Sequence, residues 1–443
     1  MTMSSSDQTL KRELGIFAAV MLGLGSIVGT GVFVSLGLGA GIAGPAVVLA
    51  IALAAALATC NGLSSAQLAA AHPVAGGTYE YGYKYMHPAL GFTAGWMFLA
   101  AKSASAATAA LGFAGYLLNA FAPEHGQLLV PLALLIAGLL TLLILTGIRR
   151  TSTANIVIVS LTLLSLIAFV VFGLPQLIER SDETLTPFFA GEADDRGLVP
   201  AILHATALMF VAYTGYGRIA TMGEEIHNPR RSIPIAIIIT LVVSAVLYMA
   251  VALVGVGAVG AQAFHDATRE QAAPLVVIAQ QIAGERSLLA MLILIGALTA
   301  MLGVLLNLIL GLSRVALAMG RRGDLPGMFG LLNASGTPFA AIFLVTLIIM
   351  VLIRLGSVEA TWSFSAFTVL IYYGLTNAAA LRLPREQRLY PRVLAWAGLV
   401  GCVGLAFWVD LRYWLAGLVL IAVGLLWHAI ARRLAFRESS NQA

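Results

Sequence analysis

The chain has 443 residues, 60% of them hydrophobic and only 10% charged, with a formal net charge of +5. A soluble domain is nearer a quarter charged, so this composition excludes an ordinary soluble enzyme or binding module. It points to a polytopic α-helical membrane protein, and the two cysteines, Cys60 and Cys402, give neither a disulfide framework nor metal spacing.

About thirteen polar residues precede a first apolar run too long for a signal-peptide core, which reads as an uncleaved membrane helix. Twelve spans are expected, at roughly 14–40, 42–70, 89–118, 127–148, 153–174, 199–222, 232–259, 287–318, 338–355, 358–381, 392–410 and 413–431. Several exceed the roughly 20 residues that cross a bilayer, which implies tilt or breaks.

The first span carries Gly25-Ser26-Ile27-Val28-Gly29-Thr30-Gly31 in its middle. Glycines and hydroxyls weaken a helix there. Lipid tolerates such a break only where it lines a cavity. The N–H groups near Ser26, Ile27, Gly29, Thr30 and Gly31 could then hold an anion, helped by the positive end of the half-helix. The plainer reading makes Gly25 and Gly29 a small-xxx-small pair for close helix packing.

In the third span stands Lys102, about thirteen residues from the nearer cytoplasmic end. That is ~20 Å along a helix, farther than a lysine stem can snorkel. It must meet water, a carbonyl or a bound molecule. Low-dielectric surroundings favour an amine's neutral form, so a proton could come and go there. The plainer reading is a fixed cation bonded to carbonyls. Beyond the fifth span, 175–198 is the most polar stretch and reads as an extracellular surface loop.

The sixth span has a second weak point at Ala212-Tyr213-Thr214-Gly215-Tyr216-Gly217. Freed carbonyls there could accept an ammonium, with Phe210, Tyr213, Thr214 and Tyr216 flanking Gly215. An aromatic packing stripe is the alternative. Arg218 and Arg314 are gate candidates near the cytoplasmic ends of their spans, possible partners of Glu224 or Glu225, or else snorkelling arginines. His204 and His428 read as packing or interface residues. From Leu288 to Leu312 the eighth span offers only Thr299 as a hydroxyl, which disfavours a sodium site.

With the N-terminus in the cytoplasm, sixteen of the 25 Lys and Arg fall inside, six outside, and three within or near spans. The excess inside places both termini in the cytoplasm of an inner or plasma membrane. The basic balance thus reflects topology and not nucleic-acid binding.

Two interrupted helices five spans apart point to a midplane site in a transporter. Four motifs strengthen this. They are Gly23 to Phe33 in the first span, Pro73 to Tyr81 after the second, Glu224-Glu225-Ile226-His227-Asn228-Pro229-Arg230-Arg231-Ser232-Ile233-Pro234 after the sixth, and Ser313-Arg314 with Asp324-Leu325-Pro326 after the eighth. In these the chain resembles the amino acid–polyamine–organocation transporter superfamily, from about residue 10 to about residue 390. The resemblance implies a leucine-transporter-like five-plus-five inverted repeat with two further helices. The repeats would cover about 14–174 and 199–381, the extra helices about 392–431, all in one domain. It also implies a substrate site between the breaks of spans one and six. Two departures stand out. Gly217 and Arg218 follow the aromatic where relatives often have an acid, and Ser160 holds the place of a lysine that several proton-driven relatives keep in span five.

The expectation is a secondary amino acid transporter working by alternating access. Proton-coupled uptake of a small or medium neutral amino acid fits best, with Lys102 as the coupling group. An obligate exchanger and a non-transporting amino acid sensor are the alternatives. No hydrolase or metalloprotease motif occurs, so no enzymatic activity, cofactor or metal is expected. The oligomeric state is not legible.

Overall fold

Inside lipid an apolar segment has only its own backbone groups to bond, so it coils. The computed structural model describes residues 15–72, 76–146, 152–189, 197–220, 226–333 and 336–441. All regular elements among them are helices. The chain opens with α1 (Ile16–Ile27), a π turn (Gly31–Ser35), α2 (Leu36–Ala43) and α3 (Val47–Ala71). Gly44, at φ 58°, and Pro45 reverse the chain between α2 and α3. A short α4 (Thr78–Tyr85) leads to α5 (Pro88–Phe121), α6 (Leu129–Leu145) and α7 (Ser152–Thr184).

The second half comprises α8 (Leu198–Tyr213), a 3-10 turn (Thr214–Tyr216), α9 (Gly217–Ala220) and α10 (Pro229–Val259). Two short helices, α11 (Ala261–Gln271) and α12 (Pro274–Ala283), precede α13 (Leu288–Arg322). The rest is α14 (Phe339–Ile353), α15 (Val358–Leu381), α16 (Arg392–Ala406) and α17 (Leu411–Asn441).

Among the described residues, nine stretches are long and apolar enough to cross a membrane. One of them, Ile16–Ala71, contains both the first and second expected spans. The ninth and eleventh expected spans correspond to the shorter α14 and α16, of 15 residues each. The stretch expected as a loop after the fifth span starts as helix instead, because α7 runs through Pro175 to Thr184. Its polar end is anchored: Arg180 donates to the Ala258 carbonyl (2.7 Å) and Thr184 to the Gly257 carbonyl (2.8 Å) at the end of α10. The expected acid pair Glu224 and Glu225, and residues 73–75 of the second motif, lie outside the described residues.

At the centre is α5, rich in Ala, Ser, Gly and Thr, with α13, α15, α14 and α6 around it. Small residues let neighbouring backbones approach closely. Hydroxyls then pair across the contact with α15: Ser105 with Ser365 (2.9 Å), Thr108 with Thr361 (2.8 Å), and Ser365 to the Ala101 carbonyl (2.9 Å). The outer face of α6 exposes Leu135, Leu139 and Leu142, as a lipid-facing helix does. His204 is buried in α8, while His428 does more than pack, since its Nδ1 lies 3.1 Å from an Asp324 oxygen.

At the far end from α4, α11 lies on α2. A Cβ at Gly37 would stand 2.0 Å from Thr268 Oγ1 and 2.6 Å from the Phe264 carbonyl. Gly37→Val is therefore expected to lower the thermal unfolding midpoint in detergent, with an overpacking cost of about 1–3 kcal/mol. A midpoint equal to wild type would show that α11 is not seated there.

Candidate binding site at the interrupted helices

The first helix does come apart. Val28, after α1, is extended (φ −80°, ψ 103°). The N–H groups of Val32 and Phe33 both return to the Gly29 carbonyl (3.1 Å each), so Gly29 caps a second half-helix. Thr30 and Gly31 lead that half-helix, and leading N–H groups are those a helix does not itself bond. Among the described residues the buried Thr30 hydroxyl has no hydrogen-bond partner. An unsatisfied buried hydroxyl beside leading N–H groups suits an anionic or carbonyl-bearing ligand.

The sixth expected span is interrupted more gently. After α8 it tightens into the 3-10 turn, and Tyr213 (φ −93°, ψ −11°), Thr214 (φ −73°, ψ 9°) and Gly217 (φ −53°, ψ −26°) are not extended. Sequence reasoning expects free carbonyls here. Instead the Thr214 carbonyl accepts from the Tyr373 hydroxyl (3.1 Å) and from Lys102 Nζ (3.4 Å). Lys102 Nζ also donates to Thr214 Oγ1 (2.6 Å), whose own hydrogen goes to the Val211 carbonyl (2.7 Å). The lysine that cannot snorkel thus finds a carbonyl and a hydroxyl on the other interrupted helix. Among the described residues no carboxylate forms an ion pair with it.

The two interruptions touch. A Cβ at Gly215 would lie 2.1 Å from the Ser26 carbonyl oxygen, and one at Gly31 would lie 2.5 Å from Ala212 Cβ. Tyr248 of α10 stitches both, donating towards the Ile27 carbonyl (2.8 Å) and lying 3.4 Å from the Ala212 carbonyl. Tyr373 of α15 is the hub of an aromatic wall, edge-on to Phe210 (5.7 Å) and tilted against Tyr216 (5.3 Å).

The structure therefore brings together Ser26, Ile27, Thr30, Gly31, Phe210, Thr214, Gly215, Tyr216 and Lys102. Gly25 and Gly29 face elsewhere: Cβ atoms there would meet Asn155 and Val159 of α7, and Val304 of α13, so both serve helix packing. Tyr213 turns its hydroxyl towards the Ile51 carbonyl (3.4 Å) of α3. Arg218 sits half-buried on α9, and Arg314 is exposed on α13. Sequence reasoning missed Tyr248 and Tyr373. Their one signal is a polar-tipped aromatic deep in an apolar span, which needs a buried partner. Among the described residues, no three His, Cys, Asp or Glu side chains gather where a metal could sit.

Membrane-length helices around an interrupted first helix, whose half-helix start faces a second interruption, are an arrangement met in transporters. Comparison with known proteins gives the same class. Residues 18–441 match the family model for amino acid permeases. An uncharacterized transporter of Mycobacterium tuberculosis is 36% identical over 96% of this chain and 92% of its own length. The branched-chain amino acid permease of Bacillus subtilis is 27% identical over 91% of the chain and 87% of its own length. The methylthioribose transporter of the same organism is 28% identical over 76% and 73%. The chain belongs to the amino acid permease family, within the superfamily its motifs resemble, and is a multi-pass membrane protein.

Two glycines test the contact between the interruptions. A Cβ at Gly217 meets only the Tyr373 hydroxyl, at 3.4 Å, whereas one at Gly215 collides with backbone. Gly215→Ala is expected to lower folded yield and thermal midpoint sharply, and Gly217→Ala to leave both near wild type. Tyr373→Phe removes one donor from the Thr214 carbonyl and should cost about 0.5–1.5 kcal/mol in the same melt.

Proposed function

We propose that this permease takes up a small or medium neutral amino acid with a proton, by alternating access across the cell membrane. Twelve spans in a five-plus-five inverted repeat, with two further helices and both termini inside, are the topology that accompanies this reading. The substrate carboxylate would meet the leading N–H groups and hydroxyl of Thr30 and Gly31. The side chain would lie against Phe210, Tyr216 and Tyr373.

One observation carries the coupling: the Lys102 amine is bonded to Thr214 at the interrupted sixth span. A protonated Lys102 fills the hydroxyl and carbonyl there. A neutral one loosens its hold and leaves the Thr214 carbonyl to a substrate ammonium. Gain or loss of one proton on Lys102 would thus change what the interruption can bind. No acid pairs with Lys102 among the described residues, which argues against a strongly cationic substrate. A branched-chain permease among the relatives is in keeping with a neutral side chain. Arg218, beside the turn, and Arg314 on α13 are the gate candidates.

Obligate exchange is the second reading. It is favoured by the engagement of the Thr214 carbonyl by both Lys102 and Tyr373, because each incoming ammonium must displace a resident donor.

Purified protein in liposomes, given inward pH or sodium gradients separately and labelled neutral amino acids, tests both readings. Accumulation driven by pH alone is expected. Counterflow that persists without any gradient, while net uptake fails, selects exchange. Lys102→Ala should cut pH-driven accumulation at least about tenfold, and Lys102→Arg should not restore it, since a guanidinium does not release its proton. Wild-type accumulation by Lys102→Ala would remove Lys102 from the coupling.

A further inference from the structure

Asp324 is the one Asp or Glu buried among the described residues, and it lies well away from the interrupted helices, just past the end of α13. It gathers donors from two other elements. From α4, the Tyr79 and Tyr83 hydroxyls reach its Oδ2 at 2.7 Å each, and Tyr83 also lies 2.9 Å from Oδ1. From α17, His428 Nδ1 lies 3.1 Å from Oδ1, and Trp427 Nε1 donates to the Asp324 carbonyl (2.8 Å). Burial, and then the carboxylate beside them, hold both phenols above their ordinary range, so they remain donors. The Nδ1–H of His428 can donate whether the ring is neutral or protonated.

The surroundings fix these groups. The His428 ring stacks on Phe92 of α5 (4.6 Å), Phe92 stacks on Trp96 (5.7 Å), and Trp96 Nε1 donates to the Leu420 carbonyl of α17 (3.0 Å). Arg322 pairs with Glu80 of α4 (2.6 Å) and lies over the Tyr83 ring (4.1 Å). Gly76 and Gly77, at φ 117° and 57°, lead into α4, which is only eight residues long.

We propose that the last helix is a latch on α4: Trp427 and His428 position Asp324, which in turn holds Tyr79 and Tyr83 and keeps α4 over this end of the bundle. Resting on the alternating-access reading, the latch sets the fraction of molecules closed at the end that the charge balance places inside. His428 and Trp427 are positioning residues. They touch no substrate and act through Asp324.

Hydrogen–deuterium exchange on the purified full chain in nanodiscs tests the latch without any substrate. His428→Ala and Trp427→Phe are each expected to speed exchange of the 78–85 amides about fivefold or more, with α5 and α13 unchanged. His428→Asn, whose amide can still donate from near the Nδ1 position, is expected to stay close to wild type. Leucine counterflow gives the second readout. His428→Ala should raise the apparent KM from outside about threefold at an unchanged maximal rate, because the outward-facing fraction falls. Unchanged exchange at α4 in both variants overturns the latch. So does faster exchange spread evenly over α5 and α13, and so does a fall in maximal rate with KM unaltered. If wild-type protein moves no amino acid, the transport reading fails, and exchange at α4 still decides the latch.

Discussion

Every backbone group in a lipid-embedded bundle must find its partner inside the protein. The interrupted first helix makes that demand acute, and most of the central architecture answers it. Tyr248 is spent on the Ile27 carbonyl, Gly29 caps the second half-helix, and Gly215 is small enough to lie against the Ser26 carbonyl. One group left over is informative: among the described residues the buried Thr30 hydroxyl has no partner. A buried hydroxyl with no partner beside a helix break is the feature on which the binding-site proposal rests.

The sixth span follows the same constraint by a different route. It does not unravel; it tightens by one 3-10 turn and hands its Thr214 carbonyl to Lys102 and Tyr373. A lysine in an apolar helix is costly unless it meets oxygen. Here the cost of burying the amine and the cost of loosening a carbonyl offset one another. This reciprocity explains why Lys102 can sit in α5 without an acid nearby among the described residues.

Much of this was legible in the sequence, for definite reasons. Three glycines and two hydroxyls fall within seven residues in the middle of the first span, so its interruption could be read from Gly25 to Gly31. Lys102 announced itself because a charge so far from an interface has few solutions. Local composition did not separate the glycine that lies against the sixth span from those that pack on α7 and α13. Gly25 and Gly29 look like Gly31 until α7 and α13 are placed beside them. Nor did it separate a tightened turn from an unwound one at Thr214. Tyr248, Tyr373 and the Asp324 cluster were missed because each bond joins residues far apart in the chain, and periodicity within one helix carries no trace of them. The short helices α4, α11 and α12 were missed for a related reason: they are too brief or too polar to register as spans.

The smooth surface of α5 has a consequence of its own. Alanine, serine and glycine raise only shallow ridges, so a neighbour resting on them gains little from one vertical setting over another. The van der Waals term barely distinguishes registers that differ by a small slide. Directional bonds must do so, and Ser105–Ser365 with Thr108–Thr361 are placed one turn apart along that seam. The vertical setting of α15 on α5 is then held by two hydrogen-bonded pairs and not by interlocking bulk.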